Sequence, residues 1–306
     1  MKHWSHISTF SRFCSVLLLS ASLATLVAAQ RTVSSPSTTA SLNIKTTPGA
    51  IIWVDTVRYG ATPASGELTI KNLRAGNRTV RARLKGKHEA TQTVALTAGA
   101  KSSIQITFSV PASQAELQFQ GAEESRERGD HAAAIKAYRQ AIKLKNGIYP
   151  TARAGLARSL MATEEYEEAV AEARRAAREQ NGIYPEAHTI IANTLRAQGL
   201  YDEALVSYRT ALAQARDFSP EAHTGVALTY QELNRSEDAI KHFRLAAEQS
   251  SDAEPVIYFL LGSLLEREQR AKEAIAAYEK YLQLEPQGKN AAAVRSVLKQ
   301  LQREIR

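Results

Sequence analysis

Cysteine is almost missing from this sequence. Among 306 residues the only one, Cys14, lies in a stretch with the make-up of a removable leader, so the mature chain carries no thiol. That excludes a disulfide framework, a thiolate nucleophile and a cysteine-ligated metal. Aromatic residues are sparse at 7%, and beyond residue 29 no apolar run approaches the ~20 residues that a membrane-spanning helix needs. Also missing are a glycine-flanked serine elbow, a glycine loop able to cradle phosphate, and paired carboxylates distinct from ordinary helix-surface charge. With no catalytic set and no cofactor motif, the sequence reads as that of a binding protein, not an enzyme. What is present, 44% apolar and 23% charged residues, is the composition of an ordinary globular protein.

Residues 1–29 begin with Lys2, His3, His6 and Arg12, continue through an apolar stretch from Phe13 to Val27, and end Val27-Ala28-Ala29 before Gln30. A positive region, a short apolar core and small residues at the cleavage point predict a secretory signal peptide. Ser15, Ser20, Ser22 and Thr25 dilute the run, which argues against an uncleaved anchor, and Cys14 precedes most of the apolar core instead of following it, which argues against a lipid-modified cysteine. A bacterial chain, periplasmic or secreted, is the expectation. Residues 30–40, rich in Ser and Thr, read as a linker.

From residue 41 to 110 the apolar pattern has period two: Leu42 and Ile44, Ile52 and Val54, Leu68 and Ile70, Val80, Ala82 and Leu84, Val94 and Leu96, Ile104 and Ile106. Turn signals such as Pro48-Gly49, Gly66 and Ala98-Gly99 separate these runs. Short strands at regular spacing predict a small antiparallel β-sandwich. Thr47-Pro48-Gly49-Ala50, Val54-Asp55, Gly60-Ala61-Thr62-Pro63 and Leu73-Arg74-Ala75-Gly76 resemble the PEGA domain, a β-module of bacterial envelope and surface proteins.

The period then becomes helical and the chain repeats. Ala134, Ala169, Ala204, Ala239 and Ala274 stand 35 residues apart, and Pro150, Pro185, Pro220 and Pro255 keep the same step. Twelve residues before each alanine lies Ala122, Ala157, Ala192, Ala227 or Gly262, and four after it Tyr138, Ala173, Tyr208, Phe243 or Tyr278. Such an array stacks helical hairpins, with small residues where helices approach and a large ring between repeats. Gly129-Asp130-His131 leading to Ala134 and Tyr138, and Gly199-Leu200-Tyr201 leading to Ala204 and Tyr208, resemble the tetratricopeptide repeat. Five repeats fill residues 115–288, and residues 289–306 read as a capping helix. The fold class expected is α+β multidomain: a small PEGA-like sandwich followed by an all-α superhelical solenoid.

Charge divides the same way. Between Arg31 and Pro111 there are eleven basic and three acidic residues, a net +8, while the two cations of the leader leave −2 for the remainder. Arg81, Arg83, Lys85 and Lys87 alternate with smaller or apolar residues, so one strand would direct four cations to one side. This strip reads either as a site for an anionic partner, such as an envelope polymer, or as a solvated edge that prevents sheet-to-sheet association. Nucleic acid is not expected, because no aromatics interleave with the cations.

Resemblance to the tetratricopeptide family implies a concave face carrying the second, fifth, ninth and twelfth residues of each first helix. Among these are Phe119, Arg158, Thr189, Asn193, Arg196, Thr224 and Phe259. Arg158, Asn193 and Arg196 could together hold a carboxylate or backbone carbonyls, with Phe119 and Phe259 as apolar anchors at the ends. His188 and His223 recur in the shared string Glu-Ala-His-Thr, but stacked repeats separate equivalent residues by ~8–10 Å or more, too far for one metal. The expected partner is therefore a protein or peptide in the groove. The alternative is an accessory protein whose β-module binds polysaccharide.

Overall fold

The structure, a computed structural model, describes residues 39–110 and 112–304. The expected leader and most of the Ser/Thr-rich linker lie outside the described residues.

Seven strands build the sandwich: β1 (Thr39–Lys45), β2 (Ile51–Val54), β3 (Val57–Ala61), β4 (Glu67–Arg74), β5 (Gly76–Arg83), β6 (Ala90–Leu96) and β7 (Lys101–Gln105). One sheet has the order β4-β1-β7 and the other β3-β2-β5-β6. The period-two residues Leu42, Ile44, Ile52, Val54, Val80 and Ala82 close the core between them, each at most 2% exposed. Thr62 explains why two of the short motifs occur together. Its buried hydroxyl accepts from Ala50 N at 3.0 Å and donates to Thr47 O at 2.8 Å, pinning the Thr47–Ala50 turn to the end of β3. Asp55 enters the β2–β3 turn with φ +53° and accepts from Thr79 N and Arg78 Nη1. Asp tolerates this left-handed backbone better than most residues, so the turn forms without glycine.

The sandwich differs in one pairing from an all-antiparallel one: β1 and β7 run parallel. The Ala98-Gly99 turn carries the chain from one sheet to the other, and Gly99 N donates to Thr39 O while Ser41 N donates to Ala100 O. The start of β7 is thereby fixed beside the start of β1, and the two strands must run the same way.

The repeats alternate first helices, α1 (Gln114–Glu127), α3 (Pro150–Ala162), α5 (Pro185–Ala197), α7 (Pro220–Glu232) and α9 (Pro255–Arg267), with second helices, α2 (His131–Leu144), α4 (Tyr166–Glu179), α6 (Tyr201–Gln214), α8 (Ser236–Ser250) and α10 (Ala271–Leu284). Four first helices carry proline at their first position, where its fixed φ suits the helix and its missing N–H costs nothing. Ser113 and Glu116 close α1 with a reciprocal capping box. The helix α11 (Ala291–Glu304) lays Val294, Leu298 and Leu301 against the last hairpin.

Each recurring alanine and its small partner twelve residues earlier is buried, as close helix approach requires. The large ring between repeats obeys a further rule. A Cβ at Gly155 would clash with the phenol ring of Tyr138, and one at Gly225 with that of Tyr208. In the intervening repeat, where the ring is replaced by Ala173, the glycine is replaced by Ile190 in the same cluster. Volume is thus conserved across these three junctions although neither partner is constant. The 35-residue step has its cause at the same junctions. Two successive left-handed residues follow each of the second helices α2, α4, α6 and α8: Asn146-Gly147, Asn181-Gly182, Arg216-Asp217 and Ser251-Asp252.

Candidate functional site

The four-stranded sheet of the β-module lies on the concave face of the repeats. Its pairs of alternating residues divide between two environments: Val80 and Ala82 enter the sandwich core, whereas Arg81 and Arg83 leave it toward α1, α3 and α5. The guanidinium of Arg83 sits between two rings, 4.8 Å from the centroid of Trp53 and 4.7 Å from that of Phe119. It donates to Glu89 at 3.0 Å and to Glu123 at 3.2 Å. Arg126 and the hydroxyl of Tyr138 also donate to Glu123. Burial opposes ionisation of Glu123, but the charges of Arg126 and Arg83 outweigh it and hold the carboxyl at about 2.

Along the rim, Lys85 pairs with Glu124 at 3.0 Å, Arg58 with Glu127 at 3.8 Å, and His88 with Glu116. Gln120, buried on α1, accepts from Gly86 N and donates to Lys87 O, both at 2.9 Å. Farther along the array, Arg78 covers the ring of Phe218 at 4.8 Å, and Ser251 donates to Asn72 O at 2.9 Å. The docked faces are not flush. Between them remains a cavity of about 670 Å³, walled by Trp53, Arg78 and Arg81 on one side and by Arg158, Glu186 and Glu221 on the other.

The residues nominated from sequence therefore lie partly together. Arg158 donates to Glu186 and, at 3.0 Å, to Glu221. Asn193 reaches the same Glu221 at 3.4 Å and accepts from the hydroxyl of Tyr208. These side chains do gather on a carboxylate, but it is the chain's own. Burial opposes ionisation of Glu186, and the charges of Arg158 and Arg81 overcome it, so its carboxyl lies below the usual range. Thr189 lines the cavity but is buried, its hydroxyl donating to Pro185 O. Phe119 lies under Arg83 and is not open as an anchor. Arg196 Nε and the Thr224 hydroxyl have no hydrogen-bond partner among the described residues. Phe259 is half-buried against Tyr278 and Tyr281.

The strip of four cations does not form as expected. Strand β5 ends at Arg83, the chain turns through Leu84–Lys87, and Arg81, Arg83 and Lys85 meet carboxylates where solvent was expected. Their acidic surroundings, Glu123, Glu186 and Glu221, are not among the residues nominated from sequence. They occupy the second or tenth position of first helices, on the same face as Arg158 and Asn193, so a reading of that whole face for both signs of charge could have found them. His223 is buried and lies 3.0 Å from His242, Nδ1 to Nδ1, an association within one repeat that the 35-residue recurrence did not suggest.

Residues 39–110 match the PEGA domain, and residues 125–193, 191–254 and 227–292 match the tetratricopeptide repeat (TPR). The chain belongs to the TPR proteins and carries a PEGA domain ahead of the repeats. Among solved structures, the TPR array is similar to TTC0263, a thermophilic TPR protein of Thermus thermophilus (19% identity, TM-score 0.53, covering 61% of this chain and 98% of that one). It is also similar to PilF of Pseudomonas aeruginosa (17%, 0.51, 61% and 83%) and to a chain of the APC/C hetero-tetramer Cut9-Hcn1 (14%, 0.52, 61% and 36%). At these identities the likeness is one of fold. No curated protein matches the sequence. TPR domains bind peptides or proteins and are typically non-catalytic scaffolds, and PEGA domains are typical of extracytoplasmic proteins. No helix among the described residues is long and apolar enough to cross a membrane.

Proposed function

We propose that this TPR protein is an exported, non-catalytic scaffold of the bacterial envelope that holds a protein partner on the concave face of its repeats. One observation carries the reading: the concave face is already a protein-docking surface, because it receives a folded domain of the same chain through aromatic, charged and backbone contacts together. Farther along that face, outside the cavity, the side chains of Arg196 and Thr224 are partly exposed. They are the contacts assigned to the partner.

The envelope contact of the PEGA domain is assigned to Lys71, Arg74 and Lys101, which are exposed on β4 and β7, since Arg81, Arg83 and Lys85 are engaged within the chain. A polysaccharide platform gains no support in the cleft. Sugar stacking needs an open aromatic face, and those of Trp53 and Phe218 are covered by arginines.

A photo-crosslinking residue in place of Arg196 or Thr224, in cells that export the protein, tests the reading. A defined protein should be captured at these positions and not from Lys143, exposed on a second helix. Equal capture at all three positions, or none at the first two, overturns it.

A further inference from the structure

The PEGA domain and α1 meet through opposite charges in a regular order. On one side Arg81 and Arg83 project from strand β5, and Lys85 follows in the turn just beyond it. On the other, Glu116, Glu123, Glu124 and Glu127 recur along one side of α1, and Glu186 and Glu221 stand on the first helices α5 and α7 beyond the intervening α3. At least four of the pairs cross the domain boundary: Arg83 with Glu123, Lys85 with Glu124, Arg58 with Glu127 and His88 with Glu116. Three of them are at the rim, with side chains about half exposed or more on the basic side, 79% for Lys85, 59% for His88 and 48% for Arg58. Removing the PEGA domain would leave these carboxylates on an open concave face beside Phe119, whose ring would lose the guanidinium now covering it.

We propose that this acidic, aromatic stretch of the concave face is a receptor for an extended partner segment carrying Arg or Lys at alternate positions, and that the PEGA domain occupies it in cis as a competitor. Partner binding and PEGA docking then exclude one another. The β5 segment shows the chemistry the partner must reproduce: a guanidinium able to cover the ring of Phe119 while bonding Glu123, which the planar fork of Arg does and the point charge of Lys does not. Competition in cis is strong because only residues 106–113 separate β7 from α1, and a short tether sets an effective concentration on the order of millimolar. A partner must exceed that or meet a chain whose docking has been weakened.

The inference rests on the scaffold reading only for the existence of a partner; the competition itself is measured on the purified chain. The probe is a fluorescent peptide of residues 79–87, Thr-Val-Arg-Ala-Arg-Leu-Lys-Gly-Lys. Three forms of the full chain are compared at low salt, all with Cys14→Ser. The first is otherwise unaltered; the second carries Arg58→Glu with Lys85→Glu, which reverses the rim without touching either core. The third adds Asn72→Cys with Ser251→Cys to the second, and a short bis-maleimide bridges the pair across the Ser251–Asn72 contact. The rim-reversed chain should bind the peptide at least tenfold more tightly than the unaltered one, and bridging should abolish that gain. Equal binding by the first two forms, or undiminished binding by the bridged form, overturns the proposal.

The yield of bridging reports docking directly and should fall on rim reversal. Arg83→Glu provides a second, stronger opening. If neither substitution set lowers the yield, docking does not depend on these charges and the competition is refuted. A peptide with Glu at its four cationic positions should bind none of the forms. Intact peptide competition without any cellular cross-link at Arg196 or Thr224 would refute the scaffold reading alone.

Discussion

The PEGA domain and the TPR array use the same economy of residues for opposite ends. In the array, positions that face a neighbour recur every 35 residues, so each helix buries its small and aromatic residues against the next and leaves carboxylates and arginines on the concave side. In the PEGA domain, adjacent residues of one strand are divided, Val80 and Ala82 to the core and Arg81 and Arg83 outward. Charged residues of the array meet solvent, a guest or one another, as Arg158 meets Glu221, whereas Arg83 of β5 meets the array through Glu123. An alternating run of cations is surface only for an isolated sheet, and in this chain it is an interior face of a two-domain unit.

Breaking the array should have the largest effect. Tyr208 is fully buried against Gly225, which has no side chain to refill the space, so Tyr208→Ala should cost about 3–5 kcal/mol. Circular dichroism on heating should show the helical transition shifted down strongly; a loss below about 1 kcal/mol would mean that the repeats can close the gap.

Acid separates the two regions, and the sign follows from each group. Glu123 is held at about 2 against an ordinary 4.5. Its contribution, on the order of 3 kcal/mol, is whole above pH ~4.5 and is lost as the pH falls toward 2. Small-angle scattering should show the PEGA domain leaving the array in that window, and Glu123→Gln should remove the dependence. His242 is shifted downward too, but with the opposite chemical meaning: burial, then the neighbouring His223 and Lys241, lower it from 6.5 to about 4. A histidine kept neutral in the folded chain contributes stability that is present above pH ~6.5 and is lost between there and 4. Because His242 is only partly buried, about 1–2 kcal/mol is expected after screening. Thermal midpoints across this range should fall in the unaltered chain and stay flatter in His242→Gln. The array should thus weaken in mild acid and the domain contact only in stronger acid; the reverse order would contradict both assignments.

The smallest effect should be a gain. Asp217 takes the left-handed position that Gly147 and Gly182 fill at the preceding junctions, with φ +61°. Asp217→Gly should raise stability by about 1 kcal/mol in relief of that conformation, read as a modest rise in the denaturant midpoint.

Much of this architecture was legible in the residues. The 35-residue recurrence of alanine and proline carried the number and register of the repeats, because close helix packing admits few residue types at those points. Alternation marked the strands for the same reason. What periodicity does not carry is which surface meets which. The burial of Arg83 depends on Glu123 and Phe119, about 40 residues away, and no local pattern couples them. The parallel placement of β7 likewise depends on where a turn delivers the chain. The Tyr138–Gly155 and Ala173–Ile190 exchange was visible in principle, since each pair is separated by the same number of residues, but only to a reading that compared two columns of the repeat at once.

That exchange bears on how such a chain can be lengthened or shortened. Joining residue 149 directly to residue 185 would remove one repeat and set Tyr138 against Ile190, ring against branched side chain. Joining residue 149 to residue 220 would remove two and set Tyr138 against Gly225, reproducing a junction the protein already has. In this stretch the array is divisible in pairs and not in single repeats, so the module that duplication or recombination could pass on intact is twice as long as the repeat the eye first picks out.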